Sequence, residues 1–151
     1  MAKACGNYLN SVLAKLEAVQ DGYDDAIMLD IQGFVSEGTG ENIFILNSDE
    51  LITPPYSSSI LPGITRDTVK HLANDLDLKV TERQITRFEL YNADEVFFSG
   101  TAAEIAPIVE VDKRMIGRGK PGKWTKKISA SFRDVVAGKH SKYKTWLTPV
   151  Y

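Results

Sequence analysis

The sequence has few of the residues on which metal centres and disulfide frameworks depend. Cysteine occurs once, as Cys5, and histidine occurs twice, as His71 and His140. One cysteine cannot form an intrachain disulfide, and these three residues do not have the spacing of zinc ligands. We therefore expect no metal site and a reducing, cytoplasmic location. With no histidine near it in sequence, Cys5 is expected to be a small buried hydrophobe rather than a nucleophile.

Long apolar runs and an excess of charge are missing as well. No run approaches the roughly 20 apolar residues that a membrane-spanning helix needs, and the first residues, MAKACGNYLN, lack the apolar segment of a signal peptide. Lysine and arginine total 18 against 20 acidic residues, for a net charge of −2. Apart from a local basic cluster over 114–127, nothing favours binding of a polyanion. We expect neither a membrane nor a nucleic acid as a partner.

The chain does contain enough apolar residues for one domain with its own core, since 43% of its 151 residues are hydrophobic. Helical spacing of apolar residues predicts helices over about 6–21 and 65–76, a short helical turn over 87–93, and a C-terminal helix around 128–136. Short apolar runs predict strands. These are 26–31 and 34–36, joined by a Gln32-Gly33 turn, then 42–46, 50–54, 78–84, 95–100 and about 107–111. Strands interleaved with helices predict one mixed α/β layer structure.

The segment LPGITRDTVKHL places a proline-glycine bend in front of a predicted helix. Gly63 would let a ligand approach the backbone closely. The free N–H groups of Ile64, Thr65 and Arg66 would then face an anion such as a phosphate along the positive end of the helix dipole. The alternative is an ordinary turn in which Thr65 caps the helix.

Three further positions carry groups suited to binding or catalysis. The turn Ser99-Gly100-Thr101 could present more amides and hydroxyls to the same ligand, or it is only the end of a strand. Glu37, between a strand and glycines, could pair with a protonated ring nitrogen in a cleft, or be solvated like most glutamates. Lys3 could act as a free amine only if burial or other cations lower its pKa, and terminal lysines are usually solvated.

Four segments, KACGNYLNSVLAKLEA, SEGTGENIF, LPGITRDTV and ADEVFFSGTAAEIAPIVEVD, occur in an order and spacing that resembles the branched-chain amino acid aminotransferases. These belong to the class IV, D-amino acid aminotransferase-like, pyridoxal phosphate family. The resemblance implies a mixed α/β fold with a partly barrel-closed sheet flanked by helices. Residues 1–151 would form a single C-terminal, cofactor-binding domain, with the family's N-terminal domain absent. An apolar patch would then be exposed, and we expect a homo-oligomer or an N-terminal-domain partner.

The resemblance also implies roles for individual residues, with pyridoxal 5'-phosphate as the cofactor. Lys3 would bind the cofactor covalently and move the substrate proton, and Tyr8 would hydrogen-bond the phenolic oxygen of the cofactor. Glu37 would bind the pyridinium nitrogen, and Leu61 would lie against the ring. The phosphate would be held by Ile64, Thr65 and Thr101, with Gly63 and Gly100 completing the cofactor-binding set, and the substrate would be bound by Gly40, Thr101 and Ala102.

The activity implied by this resemblance is transamination of leucine, isoleucine or valine with 2-oxoglutarate. Two alternatives stay open on the sequence. One is a non-catalytic module of the same fold that associates without turnover. The other, within the family, is a D-amino acid aminotransferase or an aminodeoxychorismate lyase.

Overall fold

The structure is a computed structural model that describes residues 4–148. Four α-helices and nine strands follow one another along this part of the chain. The helices are α1 (Leu9–Gln20), α2 (Ile64–Asp75), α3 (Arg87–Tyr91) and α4 (Lys123–Val136), with 3₁₀ turns at Cys5–Tyr8, Tyr56–Ser58 and Ser141–Trp146. The strands are β1 (Ile27–Leu29), β2 (Val35–Gly38), β3 (Asn42–Asn47), β4 (Glu50–Thr53), β5 (Lys79–Glu82), β6 (Glu95–Gly100), β7 (Glu104–Ile108), β8 (Glu110–Val111) and β9 (Arg114–Met115).

A five-stranded mixed sheet forms the centre of the molecule, in the order β5-β4-β3-β6-β7. Strands β4 and β5 are parallel because α2 connects them, and the other neighbours are antiparallel. The mixed α/β class is thus confirmed. Within the described residues the sheet is open, with β5 and β7 at its edges, and two small sheets, β1-β2 and β8-β9, accompany it.

The core occupies both faces of this sheet. On β3, Phe44 and Leu46 pack with α2 and α4, whereas Ile43 and Ile45 pack on the opposite face. Both faces of β3 are therefore buried, which explains why its sequence is an uninterrupted apolar run rather than an alternating one. None of the helices within residues 4–148 has the length and hydrophobicity required to cross a lipid bilayer.

One end of the sheet gathers the ends of three strands. Since β3 runs antiparallel to both β4 and β6, its first residue, Asn42, pairs with Ser99 near the end of β6. The last residue of β4, Thr53, is at the same end and donates its hydroxyl hydrogen to the Ile43 carbonyl over 2.9 Å. Helix α2 begins 11 residues after Thr53, and its first turn lies against this end of the sheet through Arg66. This sheet end positions the candidate site.

Two turns differ from the sequence-based expectation. The single strand predicted around 107–111 is two strands, β7 and β8, and β7 begins earlier, directly after the 101–103 turn. The sequence pattern also missed β9, which pairs with β8 through a turn at Asp112 and Lys113, whose φ angles are 50° and 60°. These residue types rarely adopt positive φ, so the turn carries none of the usual Asn-Gly signal.

Helix α1 is the predicted amphipathic helix, but no part of the described chain covers its apolar row. Its side chains include Leu9 at 70% and Leu13 at 66% exposure, and none of its residues is buried. The expectation that Cys5 is buried is wrong, because its place in the 3₁₀ turn before α1 leaves it exposed.

Candidate active site

The first turn of α2 presents unpaired backbone N–H groups at the end of the sheet. The helix is preceded by Gly63, and the first N–H bonded within it is that of Asp67, to the Gly63 carbonyl. The N–H groups of Ile64, Thr65 and Arg66 are the ones that helix geometry leaves over. The alternative in which Thr65 caps the helix is wrong, since Gly63 occupies the cap and Thr65 is the second helical residue.

Arg66 fixes this turn to the sheet. Its side chain is 1% exposed, and its guanidinium donates to the Thr53 hydroxyl (3.2 Å), the Pro54 carbonyl (2.9 Å) and the Glu82 carboxylate (2.8 Å). Burial by itself would raise the pKa of Glu82, but hydrogen bonds from Arg66 and Lys70 outweigh it and hold the pKa below its usual value. The ends of β4 and β5 are thereby tied to the start of α2.

Glu37 lies on β2, half-buried beside the segment that leads into α2. Its Oε2 atom accepts the Leu61 N–H at 2.9 Å and the Asn42 side-chain amide at 3.1 Å. Burial raises the pKa of Glu37, the Leu61 N–H opposes this, and the negative charge of Glu41 adds to it. A carboxylate in this position has much to gain from a cationic group beside it.

The turn after β6 meets the glycine-rich turn after β2. The Gly38 N–H bonds the Glu41 carbonyl at 2.6 Å, and the Gly40 N–H bonds the Glu41 carboxylate at 3.0 Å. A Cβ atom on Gly100 would lie 3.3 Å from Glu41 Cγ and 3.7 Å from the Gly40 carbonyl oxygen. Gly40 and Gly100 are therefore neighbours, and Thr101, which follows Gly100, is exposed.

Most of the predicted site residues are thus brought to one end of the sheet. Hydrogen bonds and close contacts join Glu37, Leu61 and Gly63, which precedes Ile64 and Thr65, and another set joins Gly40 to Gly100, which precedes Thr101 and Ala102. The Asn42–Ser99 pairing places the two sets side by side. Lys3 lies outside the described residues. Tyr8 is half-buried in the 3₁₀ turn before α1, and no hydrogen bond within residues 4–148 ties it to the others.

The largest cavity in the described part of the chain is elsewhere. It has a volume of about 770 Å³ and lies between α1, β1 and the β7–β8 segment. Of the residues near the site it includes Glu41, Phe98 and Ala103, but not Glu37 or the first turn of α2. The candidate site is consequently an edge of the sheet that faces outward rather than an enclosed pocket.

Sequence reasoning missed two polar residues of this edge, Asn42 and Arg66 as a side chain. Asn42 is 5% exposed and contacts Glu37, Leu61 and Gly63. A signal was available for each: Asn42 heads an apolar strand, and Arg66 stands three residues before the buried Val69 on the core-facing side of α2. A polar residue at a core position needs partners, and such partners cluster at sites.

Comparison with known proteins defines the class. The sequence profile of the Amino-transferase class IV family matches residues 1–111, and the chain belongs to that family. Its resemblance to the branched-chain group is confirmed by a relative from Aquifex aeolicus, a probable branched-chain-amino-acid aminotransferase. The two are 53% identical over 150 residues, which are 99% of this chain and 48% of the relative.

Other relatives agree with this assignment. The branched-chain-amino-acid aminotransferase of Escherichia coli K12 is 48% identical, over 99% of this chain and 48% of its own. Among solved structures, the Thermoproteus uzoniensis branched-chain aminotransferase with norvaline has a TM-score of 0.96 and 56% identity, over 100% of this chain and 50% of that chain. The branched-chain enzyme from T.th., complexed with N-(5'-phosphopyridoxyl)-L-glutamate, has a TM-score of 0.97 and 44% identity, over 99% and 51%. This chain spans about half the length of these relatives and matches their C-terminal part.

Replacing Arg66 should destabilise the protein more than replacing an exposed arginine. We expect Arg66→Met to lower the free energy of unfolding by about 2–4 kcal/mol, because the Thr53 hydroxyl and the buried Pro54 carbonyl lose their donor. Arg87→Met is the matched control: Arg87 is exposed, so its loss should cost less than about 0.5 kcal/mol. Urea denaturation of both variants measures the difference. Equal losses in the two variants would contradict the role given to Arg66.

Proposed function

We propose that this chain is the cofactor-binding part of a pyridoxal phosphate-dependent aminotransferase that acts on branched-chain amino acids. The observation that carries the proposal is the link between Glu37 and the first turn of α2, made through Leu61 and Asn42 at one sheet end. An acidic group next to an anion-binding helix end suits a ligand with a cationic ring nitrogen and a phosphate. The names of the relatives, and the phosphopyridoxyl ligand of the T.th. structure, support the assignment.

The residues present fit this cofactor. A Cβ atom on Gly63 would lie 2.1 Å from the Asn42 side-chain oxygen, so the backbone before α2 must stay bare, as close approach of a ligand also requires. Glu37 is half-buried with a raised pKa and has no cation bonded to it in the described chain, and a protonated ring nitrogen would supply that missing positive charge. When bound, pyridoxal phosphate supplies an electron-accepting ring that stabilises negative charge at the α-carbon of an amino acid.

Each cofactor-facing residue has a separable task in this proposal. With its Oε2 atom engaged by two donors, Glu37 offers Oε1 to the ring N–H and keeps the proton on that nitrogen. The N–H groups of Ile64 and Thr65, together with Thr101, donate to the phosphate oxygens at the positive end of α2. Leu61 lies against the ring, and Tyr8 donates to its phenolic oxygen.

The amino acid substrate would be held on the other side of Asn42. Backbone amides of the Thr101-Ala102 turn, with Gly40 beside it, bind the substrate carboxylate. The side-chain amine of Lys3 attaches the cofactor and, once displaced, moves the proton of the α-carbon as a base and then as an acid. We propose 2-oxoglutarate as the amino-group acceptor, and the glutamate portion of the ligand in the T.th. structure is compatible with it.

The proposed location is the cytoplasm. The only cysteine, Cys5, is an exposed free thiol. Free thiols persist in a reducing compartment, which supports this location.

Cofactor attachment provides the first test. Pyridoxal phosphate followed by borohydride should leave a pyridoxyl group on Lys3, identified by peptide mass spectrometry, and Lys3→Arg should abolish it. Lys113→Arg, in an exposed turn, is the matched control and should change nothing. Pyridoxal without phosphate should label Lys3 about tenfold less well, because the α2 amides then have no anion to bind. Labelling spread evenly over lysines would contradict the proposal.

The amino acid specificity is tested by restoring the half that the relatives have in addition. Fused to the N-terminal half of the Aquifex aeolicus relative, the chain should convert leucine, isoleucine or valine and 2-oxoglutarate into glutamate and the branched-chain keto acid. Turnover of D-alanine but not leucine would overturn the substrate class. Attachment of the cofactor at Lys3 without turnover of any amino acid would favour the non-catalytic module instead.

We further propose that residues 1–151 are one cofactor-binding domain and that another polypeptide, an N-terminal domain or a second copy of this chain, covers α1. The exposed apolar row on α1 includes Leu9, Leu13 and Leu16. Contiguous apolar surface of this kind marks an interface in soluble proteins. The cavity of about 770 Å³ next to α1 extends the surface available to such a partner.

The isolated chain should therefore self-associate. We expect light scattering after size exclusion to give a mass above the 16.7 kDa of one chain, and Leu13→Ser with Leu16→Ser to shift it toward the monomer. Phe88→Ser removes a side chain that is 75% exposed on α3 and serves as the control, with no expected effect. A monomer at every concentration would count against the proposal.

A further inference from the structure

We propose that Asn42 is a positioning residue that holds Glu37 and the start of α2 in one fixed arrangement through its side-chain amide. The inference rests on the proposed function, in which Glu37 and α2 bind the same cofactor. Asn42 is suited to this task because it is 5% exposed and begins β3, a central strand with neighbours on both sides. It therefore provides a rigid point of attachment.

The amide nitrogen of Asn42 bridges two segments that are distant in sequence. It donates one hydrogen to the Leu61 carbonyl at 2.8 Å and the other to Glu37 Oε2 at 3.1 Å. The N–H of Leu61 donates to the same Oε2 atom at 2.9 Å. A side-chain amide has two N–H donors, so this closed set of three hydrogen bonds uses both of them and fixes the amide plane.

The amide oxygen of Asn42 faces the helix cap. A Cβ atom built on Gly63 would lie 2.1 Å from it, which no real contact permits. Gly63 has φ −73° and ψ 134°, angles open to any residue. Glycine is required there by the space that Asn42 occupies and not by the backbone conformation. One side chain thus contacts the acid that would bind the ring nitrogen and the cap of the helix that would bind the phosphate.

The consequence for Glu37 is electrostatic as well as geometric. Burial and the charge of Glu41 both disfavour the ionised form of Glu37. Two donors on Oε2 oppose them, and Asn42 provides one of the two. Removing that donor, or displacing it, should leave Glu37 harder to ionise and its carboxylate free to rotate.

Titration of the Glu37 carboxyl carbon by ¹³C NMR, without cofactor, tests the proposal. The Glu37 signal is assigned with Glu37→Gln. We expect Asn42→Ala to raise the pKa of Glu37 by about one unit, the size of effect that loss of a hydrogen bond to a partly buried charge produces. Gly63→Ala should raise it in the same direction, because the new methyl group displaces an Asn42 that is otherwise intact.

Asn47→Ala is the matched control, since Asn47 ends the same strand at the far side of the sheet from Glu37. Its Glu37 pKa should equal that of the parent. Amide spectra establish that each variant is folded, and if one of the two test variants unfolds, the other decides. An unchanged Glu37 pKa in a folded Asn42→Ala or Gly63→Ala overturns the proposal, even if stability falls. A shifted pKa without cofactor attachment at Lys3 would instead refute the proposed function alone.

Discussion

Attachment of the first turn of α2 to the end of the central strands is the interaction on which the rest of the site depends. Apolar packing of α2 on the sheet fixes the helix axis, but packing alone does not fix how far the helix slides along it. The buried guanidinium of Arg66 does so, because its three acceptors come from the ends of β4 and β5. Directional hydrogen bonds in a water-poor environment have few alternative geometries.

The polar groups of this sheet end form a second, connected layer. Thr53 accepts from Arg66 and donates to the backbone of β3, while Asn42, one residue before that point, reaches Glu37 and Leu61. The two bridges therefore meet on β3. Ser99, opposite Asn42, is buried, and its hydroxyl has no hydrogen-bond partner within residues 4–148. Such a concentration of buried polar atoms at the edge of an apolar core is costly unless it serves binding.

How far the sequence predicted the molecule depends on the range of the forces involved. The strand runs, the helix at 64–75 and the Gln32-Gly33 hairpin follow from local periodicity and turn chemistry, and Gly33 indeed has a positive φ of 85°. The β8-β9 hairpin was missed because its turn residues, Asp112 and Lys113, adopt positive φ without the residue types that usually indicate it. Cys5 was misjudged because exposure depends on what packs around a segment, and the preference of a residue type for burial does not reveal that.

By itself, the sequence determined the order of elements, the two-sided burial of β3, the family, and the residue types that gather in the site, since these depend on composition and on spacing along the chain. Only the tertiary structure decided that Asn42 and Gly63 share one space, that Arg66 turns inward, and that the apolar row of α1 stays uncovered in the described chain. The physical reason is that contacts between residues 20 or more positions apart depend on strand register and helix placement. Both are set by packing of the whole core rather than by any one segment.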